Sequence, residues 1–217
     1  MASPARGSGA PMASGRFIVI EGIDGAGTTT QTRRLADVLA ARGIACHVTR
    51  EPSDGPIGRL VRRSLGGEGP DLTPQARALL FAADRLHHVE AEVAPAVAAG
   101  TWVLCDRYLL SSLAYQGLDC DETWVGAINR YARRPDATVL IDVDPEVAYE
   151  RIRARADAGE GTTDLYEVPA TLVRLAERYR RLADREAVRR VDGHGRVEAV
   201  TEAIVAAIAD LLPVAPG

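Results

Sequence analysis

Lysine is absent from this chain of 217 residues, so all 26 of its basic residues are arginines. An excess of positive charge is lacking as well, and the net charge of -4 at pH 7 argues against non-specific binding of nucleic acid. No apolar run approaches the length of a membrane span. The three cysteines show no paired spacing, which predicts neither a disulfide framework nor a zinc site and suits a reducing, cytoplasmic setting.

The length predicts one large domain, or one domain with a small lid. Residues 1–15 are small and polar and lack the apolar segment of a secretory signal, so we expect a disordered leader with Met12 as the natural start. We expect the folded domain to cover residues 16–212. Within it, residues 153–167 are expected to form a mobile lid, and residues 213–217 a tail.

Two further expectations concern the thiols and the histidines. Cys46 and Cys105 lie in apolar strand patterns and are expected to be small core residues. His87 and His88 are adjacent on a predicted helix, where we expect surface or helix-packing roles.

A glycine-rich segment follows the first apolar strand, in the sequence FIVIEGIDGAGTTTQ from Phe17 to Gln31. A strand, a glycine-rich loop and a helix N-terminus that carries hydroxyls together predict a phosphate-binding cradle. The glycines at positions 22, 25 and 27 allow close approach of phosphate oxygens to the backbone.

This segment departs from the P-loop pattern G-x-x-x-x-G-K-[ST] at one position. Gly22 and Gly27 fit, Thr29 fits the final position, and Thr28 stands where lysine is expected. A shift of register cannot restore the lysine, because the chain has none. Taken alone, the motif also fits a tight strand-to-helix connection without a ligand.

Strands that are apolar on both faces alternate with helical patterns along the chain, which predicts an α/β fold with a parallel sheet covered on two sides. The predicted strands end in Glu21, Arg50, Asp106 and Asp142. Ligands bind beyond the carboxyl ends of such strands, so these four residues form a candidate site with the glycine-rich loop. Each of them singly could instead be a solvated strand end.

Two later segments carry residue types suited to a nucleotide. In DRYLLSSLAYQG, Asp106 at a strand end suits Mg²⁺, Arg107 suits a phosphate, and a helix would bring Ser111, Ser112 and Tyr115 within one turn. In LLFAADR, Phe81 and Arg85 lie four residues apart on one helix face. An aromatic ring beside a guanidinium suits a base, although such a pair also occurs as core plus surface.

The strings EGIDGAG, TREP, LLFAADR, DRYLLSSLAYQG and VDPEVAYERIRAR occur in this order. With them the chain resembles the thymidylate kinases of the P-loop nucleoside-monophosphate kinase group over residues 16–212. The resemblance implies a three-layer P-loop NTPase fold with helices on both faces of a parallel sheet and a small mobile lid. It also implies transfer of phosphate from ATP to dTMP with Mg²⁺, in a cytoplasmic homodimer without a nucleic-acid or membrane partner.

The resemblance further implies roles for individual residues. Phe81 would stack on thymine, Arg85 would bind its edge, and Tyr115 would lie below the deoxyribose and disfavour a ribonucleotide. The expected ATP-binding residues are Gly22, Ile23, Asp24, Gly25, Ala26, Gly27, Thr28, Thr29 and Thr30. The expected substrate-binding residues are Arg50, Glu51, Phe81, Arg85, Arg107, Ser111, Ser112, Tyr115 and Gln116. The expected magnesium-binding residues are Thr29, Asp106 and Asp24. Two of the expected catalytic residues are Asp24 and Arg107.

The sequence departs from the family pattern at three places, where a basic residue or glycine of the pattern is replaced. Thr28 replaces the P-loop lysine, Leu165 stands where many bacterial relatives have a lid arginine, and EPSDG replaces EPGGT at residues 51–55. We expect Arg153 and Arg155, at the base of the lid, to supply the missing positive charge as catalytic residues. The alternative is that these arginines form a solvated helix face.

Three functional hypotheses remain open from the sequence. The first is a dTMP kinase that is active despite the altered loop. The second is a kinase for another deoxynucleoside monophosphate or a small hydroxyl substrate. The third is a nucleotide-binding protein that has lost phosphoryl transfer, which Thr28 and Leu165 favour and the retained Asp24, Thr29 and Asp106 disfavour.

Overall fold

The computed structural model of the protein describes residues 15–159 and 166–213. Strands and helices alternate along these residues, with a π-helical segment (Val89–Val93) between α3 and α4. The strands are β1 (Phe17–Glu21), β2 (Cys46–Arg50), β3 (Trp102–Asp106), β4 (Ala137–Asp142) and β5 (Arg189–Asp192). The helices are α1 (Thr28–Ala40), α2 (Pro56–Leu65), α3 (Pro74–His88), α4 (Ala94–Ala98), α5 (Leu109–Tyr115), α6 (Glu122–Ile128), α7 (Pro145–Asp157), α8 (Pro169–Arg185) and α9 (Val197–Ala207). Short 3₁₀ turns follow α5 (Gln116–Leu118) and α9 (Ala209–Leu211).

The five strands form one parallel sheet in the order β2-β3-β1-β4-β5, which confirms the predicted fold class. Alternate residues of β1 enter two separate apolar clusters, Phe17 and Val19 in one and Ile18 and Ile20 in the other. Since successive side chains of a strand point to opposite faces, helices must cover both faces of the sheet. This is the three-layer arrangement that the sequence predicts.

The strand register positions the candidate site. Ile20 of β1 and Arg50 of β2 both lie beside Asp106 of β3. The loop after β1 and the segment after β3 therefore leave the sheet side by side, at its carboxyl edge.

Glycine is required at one position of the loop after β1. Gly25 has φ +81°, and a Cβ atom there would lie 2.2 Å from the carbonyl oxygen of Ala148 in α7. Both the backbone conformation and the close contact exclude a side chain. The loop is thereby packed against α7, and α1 begins three residues later at Thr28.

The sequence predicts one long helix from Thr73 that Pro95 interrupts or kinks before Gly100 ends it, and the structure divides this stretch at the π-helical segment. The Thr73 hydroxyl accepts a hydrogen bond from the Ala76 N–H, as expected of an N-cap. In the π-helical segment the Ala94 N–H bonds the carbonyl of Val89, five residues earlier. Pro95 follows directly, and because it lacks an N–H and its ring crowds the preceding turn, a wider turn here relieves the conflict.

Several predicted boundaries and environments were wrong. The sequence predicts a helix from about Asp121 to Arg133, but α6 ends at Ile128, where Asn129 leaves helical geometry at the C-cap. Cys46 is half-buried rather than in the core, because β2 is an edge strand, whereas Cys105 is buried as predicted. His87 is exposed as predicted, whereas His88 is fully buried with its imidazole against Glu51.

Some predictions concern residues that the structure does not describe. They are residues 1–14 of the expected leader, residues 160–165 of the expected lid and residues 214–217 of the expected tail. Within the described ranges, no helix combines the length and apolar character that a membrane crossing requires.

Candidate active site

Two cavities meet at the carboxyl edge of the sheet. The loop cavity, of about 400 Å³, lies over the glycine-rich loop and the start of α1. The aromatic cavity, of about 250 Å³, lies between α2, α3 and α5 and contains Phe81, Tyr108 and Tyr115. Asp24, Thr29 and Arg107 line both cavities. A chemical group transferred from a ligand in one cavity to a ligand in the other would pass these three side chains.

The loop cavity contains most of the residues predicted to bind ATP. Seven of the nine line it, namely Asp24, Gly25, Ala26, Gly27, Thr28, Thr29 and Thr30. Gly22 and Ile23 do not. The Gly22 carbonyl accepts a hydrogen bond from Arg107 Nη1 at 2.7 Å, and Ile23 is a buried core residue. The first turn of α1 faces this cavity, and its free N–H groups and dipole favour a phosphate.

Three arginines of α7 differ in position. Arg151 and Arg155 line the loop cavity. Arg151 donates from Nη2 to the Gly193 carbonyl at 2.9 Å, and Arg155 forms an ion pair with Glu167 at 2.7 Å. Arg153 is exposed and lines neither cavity, so the geometry gives its predicted catalytic role no support.

Thr29 and Asp106 are in direct contact between the two cavities. The Thr29 hydroxyl donates to Asp106 Oδ2, while Asp106 Oδ1 is buried and accepts no hydrogen bond. A hydroxyl beside a carboxylate oxygen with free lone pairs is an arrangement of oxygen ligands suited to Mg²⁺.

Arg107 connects the two strand ends. Its φ of +68° lies in the left-handed region that non-glycine residues rarely adopt. Its Nη2 donates to Asp24 Oδ1 at 2.6 Å, and the Tyr115 hydroxyl donates to Asp24 Oδ2 at 2.8 Å. Both oxygens of Asp24 are thus fixed by partners from beyond β3, at the junction of the cavities.

Glu21 supports α5 from beneath and is not a ligand-facing group. It is fully buried, and its carboxylate accepts from the backbone N–H groups of Tyr108 and Ser111 at 3.0 and 3.1 Å. The Ser111 hydroxyl donates to it at 2.5 Å. Burial raises the pKa of Glu21 above its ordinary value despite these bonds. Ser111 lines the aromatic cavity as predicted, but its hydroxyl already has a buried partner.

The fourth predicted strand end lies outside the site. Asp142 pairs with Arg180 at 2.9 Å and with Arg190 at 2.7 Å and lines neither cavity. Its expected place in the site was wrong, because two surface arginines of α8 and β5 neutralise it locally.

Arg85 is almost completely buried at the inner end of the aromatic cavity. Its Nη2 donates to the Tyr108 carbonyl and the Ser112 hydroxyl, each at 3.0 Å, and its Nη1 donates to Asn129 Oδ1. Glu51 Oε2 lies 2.8 Å from Nη2 and balances the charge. A buried guanidinium is tolerated only with such partners. Its Nε alone is left without one.

Two arginines lie at the outer end of the same cavity. Arg50, a predicted substrate-binding residue, pairs with Asp54 at 3.0 Å, and Arg62 of α2 pairs with the same carboxylate at 2.6 Å. The hydrogen bond from Arg50, together with the charge of Arg62, holds the pKa of Asp54 below its ordinary value. An anion that enters the cavity would compete with Asp54 for both guanidinium groups.

The sequence did not reveal several residues of the site. Arg62 carried a weak signal, a basic residue in the helix after the Arg50 loop. Asn129 carried none, since it lies 44 residues from Arg85, to which it is bonded. Arg151 lies two residues before Arg153 and four before Arg155 on the same helix, and the sequence alone could not decide which of the three faces the cavity.

Buried polar atoms without a hydrogen-bond partner are concentrated in residues that line the aromatic cavity. In the described part of the chain, six buried side-chain nitrogen or oxygen atoms lack a hydrogen-bond partner, and five belong to residues that line this cavity. They are Arg85 Nε, Asp106 Oδ1, Tyr108 Oη, Gln116 Oε1 and Glu51 Oε2, the last contacting Arg85 only as an ion pair. Buried polar atoms are normally satisfied, so this concentration indicates the place of a polar ligand.

Comparison with known proteins identifies the family. A sequence model described as thymidylate kinase matches residues 20–204. The chain is 39% identical to the "Probable thymidylate kinase" of Thermococcus kodakarensis over 207 residues, covering 90% of this chain and 98% of the relative. It is 38% identical to the "Thymidylate kinase" of Rhizorhabdus wittichii over 209 residues, covering 92% and 99%. The chain belongs to the thymidylate kinase family.

One departure from the thymidylate kinase pattern has a local structural explanation. In the EPSDG loop, Ser53 donates from its backbone N–H to Asp84 Oδ2 at 2.7 Å and from its hydroxyl to Oδ1 at 2.5 Å. The loop is thereby fixed to α3, the helix that carries Phe81 and Arg85. Thr28 lies at the first turn of α1 against the loop cavity, whereas Leu165 falls outside the described residues.

Proposed function

We propose that this member of the thymidylate kinase family transfers the γ-phosphoryl group of ATP to dTMP, giving ADP and dTDP for dTTP synthesis. The main support is the pair of cavities that share Asp24, Thr29 and Arg107, together with the unsatisfied polar atoms of the aromatic cavity. ATP would occupy the loop cavity and dTMP the aromatic cavity. The two nucleotides would then meet with their phosphates at the shared side chains.

The base would lie in the inner part of the aromatic cavity. Phe81 provides an aromatic face for stacking. The unpartnered Arg85 Nε–H can donate to a ring carbonyl, and the unpartnered Gln116 Oε1 can accept from a ring N–H. A thymine ring offers both of these groups on one edge. Tyr115, packed edge-on against Tyr166 at 5.1 Å between ring centres, would lie below the deoxyribose.

The acceptor phosphate would lie toward the arginines at the outer end and at the junction. Arg50 and Arg62 would exchange Asp54 for the phosphate, and Arg107 would hold it beside Asp24. The reaction needs no covalent intermediate, because in-line alignment and neutralisation of the developing charge supply the catalysis.

Thr29 and Asp106 would hold Mg²⁺, with Asp24 as the next candidate. In the described residues no three or more His, Cys, Asp or Glu side chains cluster as a metal site. A magnesium ion here would therefore take most of its ligands from ATP phosphates and water, as is usual for this ion. When bound, it neutralises charge on the transferred group.

Arginine would replace the missing P-loop lysine. Arg151 and Arg155 line the loop cavity, and a guanidinium can bind two phosphate oxygens at once. Glu167, the partner of Arg155, would have to share that guanidinium with ATP. Arg153 lacks such a position and serves as the natural control.

The remaining proposals follow from the family. We infer a cytoplasmic location that suits three free cysteines, and a homodimer. Leu79 and Leu86 of α3 support the dimer, since they are 50% and 37% exposed and lie seven residues apart, on the same face of the helix.

The proposed reaction is tested by ADP release from ATP and Mg²⁺ with dTMP, dUMP, ribo-TMP, dCMP or AMP as acceptor. We expect dTMP to be the best acceptor. Asp106→Asn should lower kcat by about 100-fold or more, because it removes a metal ligand. Asp142→Asn, at the end of the next strand but outside the site, should leave kcat unchanged. Binding of ATP and dTMP without turnover would instead indicate a nucleotide-binding protein, and preference for another acceptor would reassign the substrate.

The arginine proposal is tested by alanine variants of Arg151, Arg153 and Arg155. We expect the loss of Arg151 or Arg155 to lower kcat by about 100-fold, the usual effect of removing a cation from a developing phosphoryl charge. Arg153→Ala should resemble the unaltered protein. Adding Thr28→Lys to the variant with the lowest kcat should restore part of its kcat. Full activity in all three single variants would refute the replacement.

The dimer is tested by sedimentation equilibrium. Leu79→Glu combined with Leu86→Glu should dissociate it, because charges would be buried in an apolar contact. Tyr131→Glu, a change at a 70% exposed aromatic residue outside α3, should leave the mass unchanged. A monomeric unaltered protein at micromolar concentration would contradict the proposal.

A further inference from the structure

His88 lies behind the aromatic cavity and contacts three side chains from other elements. Its side chain is 0% exposed. The Nδ1 atom lies 3.1 Å from Glu51 Oε1, and Nε2 lies 2.8 Å from Thr49 Oγ1 and 3.6 Å from Glu92 Oε2. His88 does not line the cavity, so it has no contact with a ligand there.

Glu51 connects His88 with the site. One oxygen of its buried carboxylate faces His88, and the other lies 2.8 Å from Arg85 Nη2. Its backbone N–H donates to the carbonyl of Asp106 at 3.1 Å. The carboxylate is thus held between an imidazole and the guanidinium proposed to bind the base.

Acidic groups face the His88 imidazole from several elements. They are Glu51 after β2, Glu92 in the π-helical segment and Asp84 on the same helix, and Glu92 is in turn paired with His47 of β2 at 2.7 Å. Burial alone lowers the pKa of His88, but the hydrogen bond and charge of Glu51, with the charges of Glu92 and Asp84, outweigh it and raise the pKa above its ordinary value.

We propose that His88 is a positioning residue for base recognition, which holds Glu51 so that Glu51 holds the Arg85 guanidinium toward the base. The inference rests on the proposed function, because it takes the base to lie against Arg85. Without the His88 imidazole, the Glu51 carboxylate keeps its contact with Arg85 and loses the contact that fixes its other oxygen. Arg85 would then sample other orientations, and its Nε–H would be presented to the ring for a smaller fraction of the time.

A pH dependence follows from the same contacts. Below the pKa of His88 in the folded protein, the imidazolium binds Glu51 through a charge-assisted hydrogen bond. As the pH rises through that pKa, the charge is lost and the bond to Glu51 weakens. Affinity for the base should therefore fall at higher pH, and the effect should disappear when residue 88 cannot titrate.

The experiment measures binding of thymidine by calorimetry at about pH 6 and about pH 8.5, with ATP binding and steady-state kinetics in parallel. Thymidine has no phosphate, so no phosphate titration enters the result. For the unaltered protein we expect thymidine to bind about threefold more weakly at the higher pH. His88→Leu should raise the Kd for thymidine and the KM for dTMP by about tenfold, as for loss of one charged hydrogen bond, with little change in kcat.

Two further variants separate positioning from general stability. His88→Gln keeps a hydrogen-bond donor for Glu51 and should recover most of the affinity while losing the pH dependence. His87→Gln, at the adjacent exposed histidine, should behave as the unaltered protein.

Two results would overturn the inference, and they are distinguishable. If folded His88→Leu or His88→Gln keeps the affinity and the pH dependence of the unaltered protein, His88 does not position Arg85, and the proposed function is unaffected. If the unaltered protein binds ATP but neither dTMP nor thymidine, the proposed function fails and the inference fails with it.

Discussion

The pairing of β1 with β3 is the constraint on which the site depends. With Ile20 beside Asp106, the glycine-rich loop and the Asp106–Arg107 segment leave the sheet next to each other. Arg107 then bonds back to Gly22 and to Asp24, across the gap between the two strand ends. A parallel sheet covered on both faces fixes this register through its core, so the geometry of the site follows from apolar packing.

Charge balance explains how the site can be built without lysine. The buried guanidinium of Arg85 is balanced by Glu51, and Arg107 is balanced by Asp24. At the outer end, Arg50 and Arg62 share one exposed carboxylate, Asp54, which a phosphate would replace in the proposed complex. Arginine binds phosphate through two donors in a fixed plane. The direction from which its side chain approaches the phosphate therefore matters more than it does for lysine. The site therefore combines fixed inner arginines with outer arginines whose partners can be exchanged.

The sequence predicted the fold and the main site segments because their signals are local. Each of these signals consists of residues only a few positions apart in the sequence. They are the apolar strands, the glycine-rich loop and the strings around Phe81 and Asp106. Contacts between distant residues could not be predicted in this way. His88 is buried against Glu51 and against Glu92 of the π-helical segment, and Asn129 bonds Arg85 across 44 residues of the sequence. Asp142 was predicted to be a site residue because it ends a strand, and its arginine partners, which are distant in sequence, could not be predicted.

The central claim is that a thymine nucleotide supplies the missing hydrogen-bond partners of Arg85 Nε and Gln116 Oε1 at the aromatic cavity. A crystal structure of the protein with dTMP, ADP and Mg²⁺ tests it most directly. The account predicts the ring stacked on Phe81, with Arg85 Nε and Gln116 Oε1 each within hydrogen-bond distance of its edge and the phosphate at Arg107. A base bound elsewhere, or a ring in this cavity that leaves both atoms unpaired, would contradict the account.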